Sequence, residues 1–106
     1  MAGLSNTFGI AMRNFTAYPQ LPDAQELATY VNGERRQQAF LRDMIFDVPR
    51  FIETVTAYVT LEAGDLLATG TPAGVGIGFD PPRYLKPGDE VRVAISGIGE
   101  LTNPVV

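Results

Sequence analysis

Hydroxyl side chains and bare backbone amides stand close together in one short stretch of this 106-residue chain. Residues 69–78 hold four glycines and two threonines, Thr69 and Thr71, directly after an apolar run. Glycine lets a loop approach a ligand closely and donate backbone N–H groups to an anion. The composition therefore indicates a loop that binds a small anion. It also suits a glycine-rich crossover that binds nothing, and composition alone leaves both interpretations open.

Two nucleotide-binding motifs are the first alternatives for this loop. The glycines of residues 74–78 are spaced like part of a dinucleotide fingerprint, but that motif must open a helix. Two prolines at residues 81–82 make a helix starting at the glycines unfavourable. A P-loop needs a lysine followed by Ser or Thr, whereas the one lysine, Lys86, precedes a proline. The sequence therefore predicts neither nucleotide site.

Residue types that are absent restrict the chemistry further. The chain has no Cys and no His, which removes thiolate nucleophiles, imidazole bases and the commonest transition-metal ligands. Its 12 acidic and 8 basic residues give a net charge of -4 without a basic stripe, so we expect no nucleic-acid partner. Apolar runs are too short to span a membrane, and no secretory signal opens the chain. We expect a cytoplasmic protein.

Acidic residues are the remaining candidates for an oxygen-ligand Mg²⁺ site. None of them forms an Asp-x-Asp or Glu-x-Glu pair. Asp65 and Asp89 each end a Leu-x-x-Gly-Asp segment, and Asp in such turns commonly accepts hydrogen bonds from its own backbone. We expect both to stabilise turns rather than to bind metal.

Strands must supply most of the framework that positions these residues. Asn32-Gly33 separates two strand-like runs and predicts a type I′ hairpin, in which Leu27, Thr29 and Val31 share one face. Further strands are expected around residues 8–16, 66–69, 90–95 and 100–106, with the apolar run 66–69 buried on both faces.

One helix is predicted over about residues 49–60. Asp47 or Val48 caps it, Pro49 lies in its first turn, and its apolar residues follow helical spacing along one side. A one-sided helix should lie against a sheet. One helix with five or six strands predicts a β-rich α+β fold, and 106 residues hold one domain at most.

Several segments, in one order, resemble the fumarylacetoacetate hydrolase family. The resemblance covers residues 22–106 as a single, partial domain, whereas residues 1–21 diverge from it. The segments that carry it are residues 43–49 (DMIFDVP), 60–76 (TLEAGDLLATGTPAGVG), 84–89 (YLKPGD), 97–105 (GIGELTNPV) and the hairpin 31–34 (VNGE) with Gln37.

The resemblance implies a mixed β-sandwich roll, usually a homodimer, that binds Mg²⁺ or Mn²⁺. Such enzymes cleave, decarboxylate or isomerise 2-oxo and 1,3-diketo acids, including intermediates of aromatic degradation. In the family, the loop that corresponds to Gly70, Thr71 and Pro72 closes one side of the active site, and its second threonine contacts the substrate. The resemblance therefore implies that Thr71 contacts the substrate here. A hydroxyl and nearby amides can position a carboxylate or enolate oxygen.

The resemblance also implies that other parts of the active site are missing from this sequence. The family's metal ligands, a Glu-x-Glu pair and an Asp, lie upstream of everything present, and the position of its active-site lysine falls on Gly3. Metal polarises the keto and carboxylate oxygens so that an enolate can form. We therefore expect a chain that is inactive alone and acts with the missing half. The alternative is a non-catalytic remnant, or a dimerisation or interaction module with open sheet edges and apolar surface.

Overall fold

The structure, a computed structural model, describes residues 24–106. The elements are β1 (Glu26–Val31), β2 (Glu34–Phe40), α1 (Val48–Thr56), β3 (Glu90–Ile95) and β4 (Gly99–Pro104). The four strands form one antiparallel sheet in the order β2-β1-β3-β4, and the α-helix α1 lies between β2 and β3 in the sequence. The expected β-rich α+β class is confirmed, with four strands among the described residues. The strand expected around residues 8–16 lies outside them.

The predicted hairpin joins β1 to β2. Asn32 and Gly33 have φ values of 50° and 81°, as a type I′ turn requires. The Asn32 side chain also ties this turn to the start of β3: its Nδ2 donates to Asp89 at 2.8 Å, and its Oδ1 accepts the Glu90 N–H at 2.9 Å. The hairpin is therefore fixed at its tip as well as along its strands.

A β-bulge interrupts the pairing of β1 with β2. Tyr30 lies opposite Arg35, but the preceding residue of β1, Thr29, lies opposite Gln37, so that Arg36 has no counterpart. Directly opposite residues of an antiparallel pair point to the same face of the sheet. The extra residue therefore places Gln37 on the face of Thr29, where only 4% of its surface is exposed.

The core of the sheet consists of small branched side chains. Val31, Val91 and Val93 pack together, and Val105, beyond the end of β4, packs against them. Val91, Val93 and Ile95 are buried and alternate with more accessible residues, as the predicted period of two requires.

The two Leu-x-x-Gly-Asp segments form the same turn, as predicted. The Asp65 carboxylate accepts the Glu62 N–H at 2.8 Å, and the Asp89 carboxylate accepts the Lys86 N–H at the same distance. In each turn the preceding glycine has a positive φ, 99° at Gly64 and 93° at Gly88.

Two details of the helical and apolar segments differ from the expectation. Residues 66–69 form no strand, and Leu66 is 68% exposed, because no strand pairs with this run among residues 24–106. The prediction of a strand buried on both faces is wrong there.

Helix α1 is capped by Asp47, whose side chain accepts the Arg50 N–H, but it ends at Thr56 and continues only as a turn. The Thr54 and Thr56 hydroxyls donate to carbonyls of the preceding turn, a competition that weakens helices rich in threonine.

Candidate functional site

Only glycine fits at two positions of the glycine-rich loop, residues 69–78, because the backbone of β2 passes close to one of them and the backbone of Arg83 close to the other. A Cβ on Gly74 would overlap the Arg36 carbonyl, and a Cβ on Gly76 would overlap the Arg83 carbonyl. Gly74 also has a φ of 107°, which side chains of L-residues rarely adopt. The glycines therefore serve close packing of backbone against backbone, which holds the loop beside the sheet.

An ion pair fastens the far end of this loop. The Arg83 N–H donates to the Gly76 carbonyl at 2.8 Å, and both terminal nitrogens of Arg83 donate to Glu34 at 2.8 Å. The Arg83 hydrogen bonds hold the pKa of the Glu34 carboxyl below its usual value. The guanidinium groups of Arg36 and Arg83 both lie within 5.4 Å of the Phe79 ring centre. Together these contacts join the loop to the hairpin of β1 and β2.

A pocket of about 490 Å³ separates α1 from the sheet. Val48 and Phe51 of α1 contribute to its lining, so this part of the helix faces the sheet across the pocket. Thr69 and the three predicted site residues, Gly70, Thr71 and Pro72, form one wall of this pocket. The opposite walls are largely apolar and include Leu27, Phe40, Leu41, Met44, Phe51 and Ile95.

Gln37 connects the wall of the pocket to the sheet. Its Nε2 donates to the Thr71 hydroxyl oxygen at 2.8 Å and to the Pro72 carbonyl at 2.9 Å. Gln37 is buried, whereas Thr71 is exposed toward the pocket. One buried amide thereby fixes two consecutive residues of the glycine-rich loop.

The acidic groups at the pocket do not form a metal site. Glu26 and Asp43 are the carboxylates of the lining, and each already has a partner: Glu26 accepts from the Gln38 side chain, and Asp43 accepts the Phe40 N–H at 2.9 Å. Among residues 24–106, no three His, Cys, Asp or Glu side chains come together in a way that could hold a metal ion. The donor set described here does not fit the divalent metal that the family resemblance implies.

Gly70, Thr71 and Pro72, which the sequence predicts to contact substrate, all line this pocket. Their contact with substrate stays a prediction. The sequence prediction missed the role of Gln37, because a buried glutamine in a strand has no motif of its own. The signal for it was indirect, since Gln37 was part of the hairpin that resembles the family.

The three-residue 3₁₀ turn Gly76–Gly78 is followed by extended backbone at Phe79, so the loop opens no α-helix, as the exclusion of a dinucleotide site requires.

The sequence profile described as the fumarylacetoacetate (FAA) hydrolase C-terminal domain matches residues 5–106. The chain belongs to this family. The match extends further toward the N-terminus than the 22–106 expected from the motifs. In the part of the chain that the structure describes, no helix has the length and apolar character needed to cross a membrane.

Individual members of the family show what this chain is similar to. Oxaloacetate tautomerase YisK of Bacillus subtilis is 50% identical over 86 residues, which are 81% of this chain and 29% of that protein. A fumarylacetoacetate hydrolase from Exiguobacterium antarcticum superposes with a TM-score of 0.75 at 49% identity, over 80% of this chain and 31% of that one. Maleylpyruvate hydrolase from Sphingobium sp. SYK-6, solved with manganese(II) and pyruvate, gives a TM-score of 0.71 at 39% identity over 82% and 30%. The chain thus spans about three tenths of the length of these relatives.

Proposed function

We propose that residues 24–106 form one wall of the active site of a fumarylacetoacetate hydrolase-type enzyme acting on 2-oxo or 1,3-diketo acids. The observation that carries the proposal is that Thr71 is an exposed residue lining a pocket and that its hydroxyl accepts a hydrogen bond from Gln37. The similar proteins are named as a tautomerase of oxaloacetate and hydrolases of fumarylacetoacetate and maleylpyruvate, which supports 2-oxo and diketo acids as the substrate class.

The chain's own residues would hold the acid group of the substrate. A hydroxyl that donates a hydrogen bond to a carboxylate or enolate oxygen contributes most when it is already oriented before the ligand arrives. Gly70 and Pro72 line the pocket together with Thr71, and the apolar residues of the lining would exclude water from the bound molecule. The reaction itself, which is C–C hydrolysis, decarboxylation or isomerisation, would be decided by residues outside this wall.

Groups beyond residues 24–106 would complete the site. Mg²⁺ or Mn²⁺ would polarise the keto oxygen of the substrate, and one similar structure holds manganese(II) with pyruvate. Because the described carboxylates do not fit such an ion, its ligands would come from the part of the fold that the longer relatives contain. We therefore propose that the 106-residue chain has no turnover by itself and pairs with a further polypeptide segment.

Two measurements on the full chain test this function. Pyruvate is titrated into ¹⁵N-labelled protein, and chemical-shift changes are expected at Gly70 and Thr71 but not at Thr102, an exposed residue of β4. Oxaloacetate and acylpyruvates are then assayed with Mg²⁺ or Mn²⁺, and no turnover is expected. Saturating pyruvate without any shift at Thr71 would contradict the binding role, and turnover by the chain alone would contradict the need for a further segment.

A second candidate function is that of an association module. Ile45 is 94% exposed, Phe46 59% and Tyr58 86%, so large apolar side chains are exposed just before and just after α1 in the sequence. Exposed apolar groups of this size favour contact with another protein surface, such as a second copy of the chain or the pairing segment. Light scattering over a wide concentration range tests this function. A chain that stays monomeric throughout and melts cooperatively would contradict self-association.

A further inference from the structure

We propose that Gln37 is a positioning residue that sets the direction of the Thr71 hydroxyl, making it a hydrogen-bond donor toward an anionic ligand. This inference rests on the function proposed above, because it concerns the same wall of the same pocket. It adds a residue from a different element, β2, whose side chain contacts the loop but does not itself line the pocket.

The Pro72 carbonyl decides which end of the Gln37 amide faces the loop. A carbonyl oxygen only accepts hydrogen bonds, so the group 2.9 Å from it must be the NH₂ of Gln37 rather than its oxygen. The same nitrogen lies 2.8 Å from Thr71 Oγ1. The amide therefore donates one hydrogen to Pro72 and the other to Thr71, and the Thr71 oxygen is the acceptor.

This polarity leaves the hydroxyl proton of Thr71 available. A threonine hydroxyl has one proton to donate and two lone pairs to accept with. Gln37 occupies one of these lone pairs. A carboxylate or enolate ligand has no proton to donate and can only accept, so in a hydrogen bond between the two the Thr71 hydroxyl is the donor. Because Thr71 is exposed and lines the pocket, its hydroxyl proton is available to a ligand oxygen bound there.

The surrounding structure keeps this arrangement rigid. Gln37 is 4% exposed and stands on the face of Thr29 because of the bulge at Arg36. The loop cannot move closer to β2, since Gly74 is already in contact with the Arg36 backbone. A hydroxyl held in this way loses little rotational freedom on binding, which is the advantage of pre-orientation.

Substitutions of Gln37 separate this role from simple packing. Gln37→Leu keeps the approximate volume but donates nothing, and we expect the dissociation constant for pyruvate to rise about fivefold or more, from the loss of roughly one hydrogen bond. Gln37→Glu reverses the polarity: its carboxylate accepts the Thr71 proton and withdraws it from the ligand. Thr71→Val gives the value for a site without the hydroxyl, and Thr102→Val is the matched control on β4, expected to bind like the unaltered chain.

The pH dependence of the Gln37→Glu variant is the readout that packing alone would not change. Burial raises the pKa of a carboxyl group, and the protonated form again donates a hydrogen bond. Pyruvate affinity should therefore be near the Thr71→Val value at pH 8 and recover as the pH falls to 5.5. Over the same range, the Gln37→Leu variant and the unaltered chain should show no such recovery.

The outcomes distinguish this inference from the function on which it rests. If the unaltered chain does not bind pyruvate at Thr71, both are overturned. If it binds, and Thr71→Val weakens binding while neither Gln37 variant does, the positioning role alone is overturned. Where the Gln37 variants do not fold, the side-chain amide protons of Gln37 in the unaltered chain decide. Both are expected to exchange slowly with water, with one shifting in Thr71→Val, and fast exchange of both overturns the inference.

Discussion

Gln37 and Thr71 lie 34 residues apart in the sequence, and the side-chain nitrogen of Gln37 donates a hydrogen bond to the Thr71 hydroxyl at 2.8 Å. The bond crosses from the second strand of the hairpin to the glycine-rich loop. It therefore links Thr71, one of the three predicted substrate-binding residues, to the sheet. A site on a loop gains precision when a buried group of the scaffold holds it.

The Gln37–Thr71 bond should appear as a coupling in stability. Gln37→Leu and Thr71→Val are each expected to lower the free energy of unfolding, and the double variant should lower it by less than the sum. The shortfall should be about 1 kcal/mol, the usual net value of one hydrogen bond. Urea unfolding of the four proteins measures it. Strict additivity would show that the two side chains do not interact in solution.

The glycines of the loop should differ in how much alanine costs. Gly74→Ala adds both an overlap with the backbone and an unfavourable φ, so we expect the free energy of unfolding to fall by about 3 kcal/mol or more. Gly70→Ala meets only the unfavourable φ of 92°, which costs about 1–2 kcal/mol. In Gly78→Ala the atom nearest to the new Cβ belongs to the Val75 side chain and is 3.8 Å away, and the φ of Gly78 is not positive. The free energy of unfolding should therefore change by less than about 1 kcal/mol.

Chemical denaturation of these three variants tests the order. Equal losses at Gly70 and Gly74 would mean that the loop does not lie against Arg36 as described. A large loss at Gly78 would show that the turn Gly76–Gly78 has less free space than its surroundings indicate.

Acid should destabilise the fold partly through Asp89. Hydrogen bonds from Asn32 and from the Lys86 backbone hold the pKa of the Asp89 carboxyl below its ordinary value of 3.8. The unfolded chain therefore takes up this proton at a higher pH than the folded chain does. The stabilisation is complete above the ordinary pKa and is lost as the pH falls through it toward the lowered one. The Glu34 carboxyl, whose pKa is lowered from 4.5, acts in the same direction.

Thermal melting of the unaltered chain and Asp89→Asn between pH 6 and pH 2.5 measures this dependence. The melting temperature of the unaltered chain should fall more steeply with acid than that of Asp89→Asn. Glu53→Gln, an exposed substitution on α1, controls for the change in net charge. Parallel curves for the unaltered chain and Asp89→Asn would contradict a lowered pKa at Asp89.

Local signals in the sequence predicted the features that depend on neighbouring residues. Asn32-Gly33 specifies its turn because only a few residue types accept two positive φ values in succession. Asp47 and Pro49 define the start of α1, and the two Gly-Asp turns repeat because the same short side chain reaches the same backbone N–H. Alternating valines placed β3 correctly.

Features that depend on distant partners could not be predicted in this way. The apolar run of residues 66–69 has the composition of a buried strand, but a strand also needs a neighbour to pair with, and none lies beside it among residues 24–106. The bulge at Arg36 has no sequence signature, although it decides that Gln37 and not Arg36 shares the face of Thr29. The pocket-facing position of Thr71 was expected from family resemblance, whereas its hydrogen bond to Gln37 became visible only in three dimensions.

Transplanting the chain into a longer relative tests the central claim, that this wall supplies Thr71 to a 2-oxo acid site. The aligned 86 residues of Bacillus subtilis oxaloacetate tautomerase YisK are replaced by those of this chain, and kcat/KM for oxaloacetate tautomerisation is measured. We predict an active chimera in which Thr71→Val lowers kcat/KM about 10²-fold, as removal of an oxyanion donor does, while Thr102→Val leaves it unchanged. A folded chimera whose kcat/KM is the same with Thr71 or Val at this position would contradict the account.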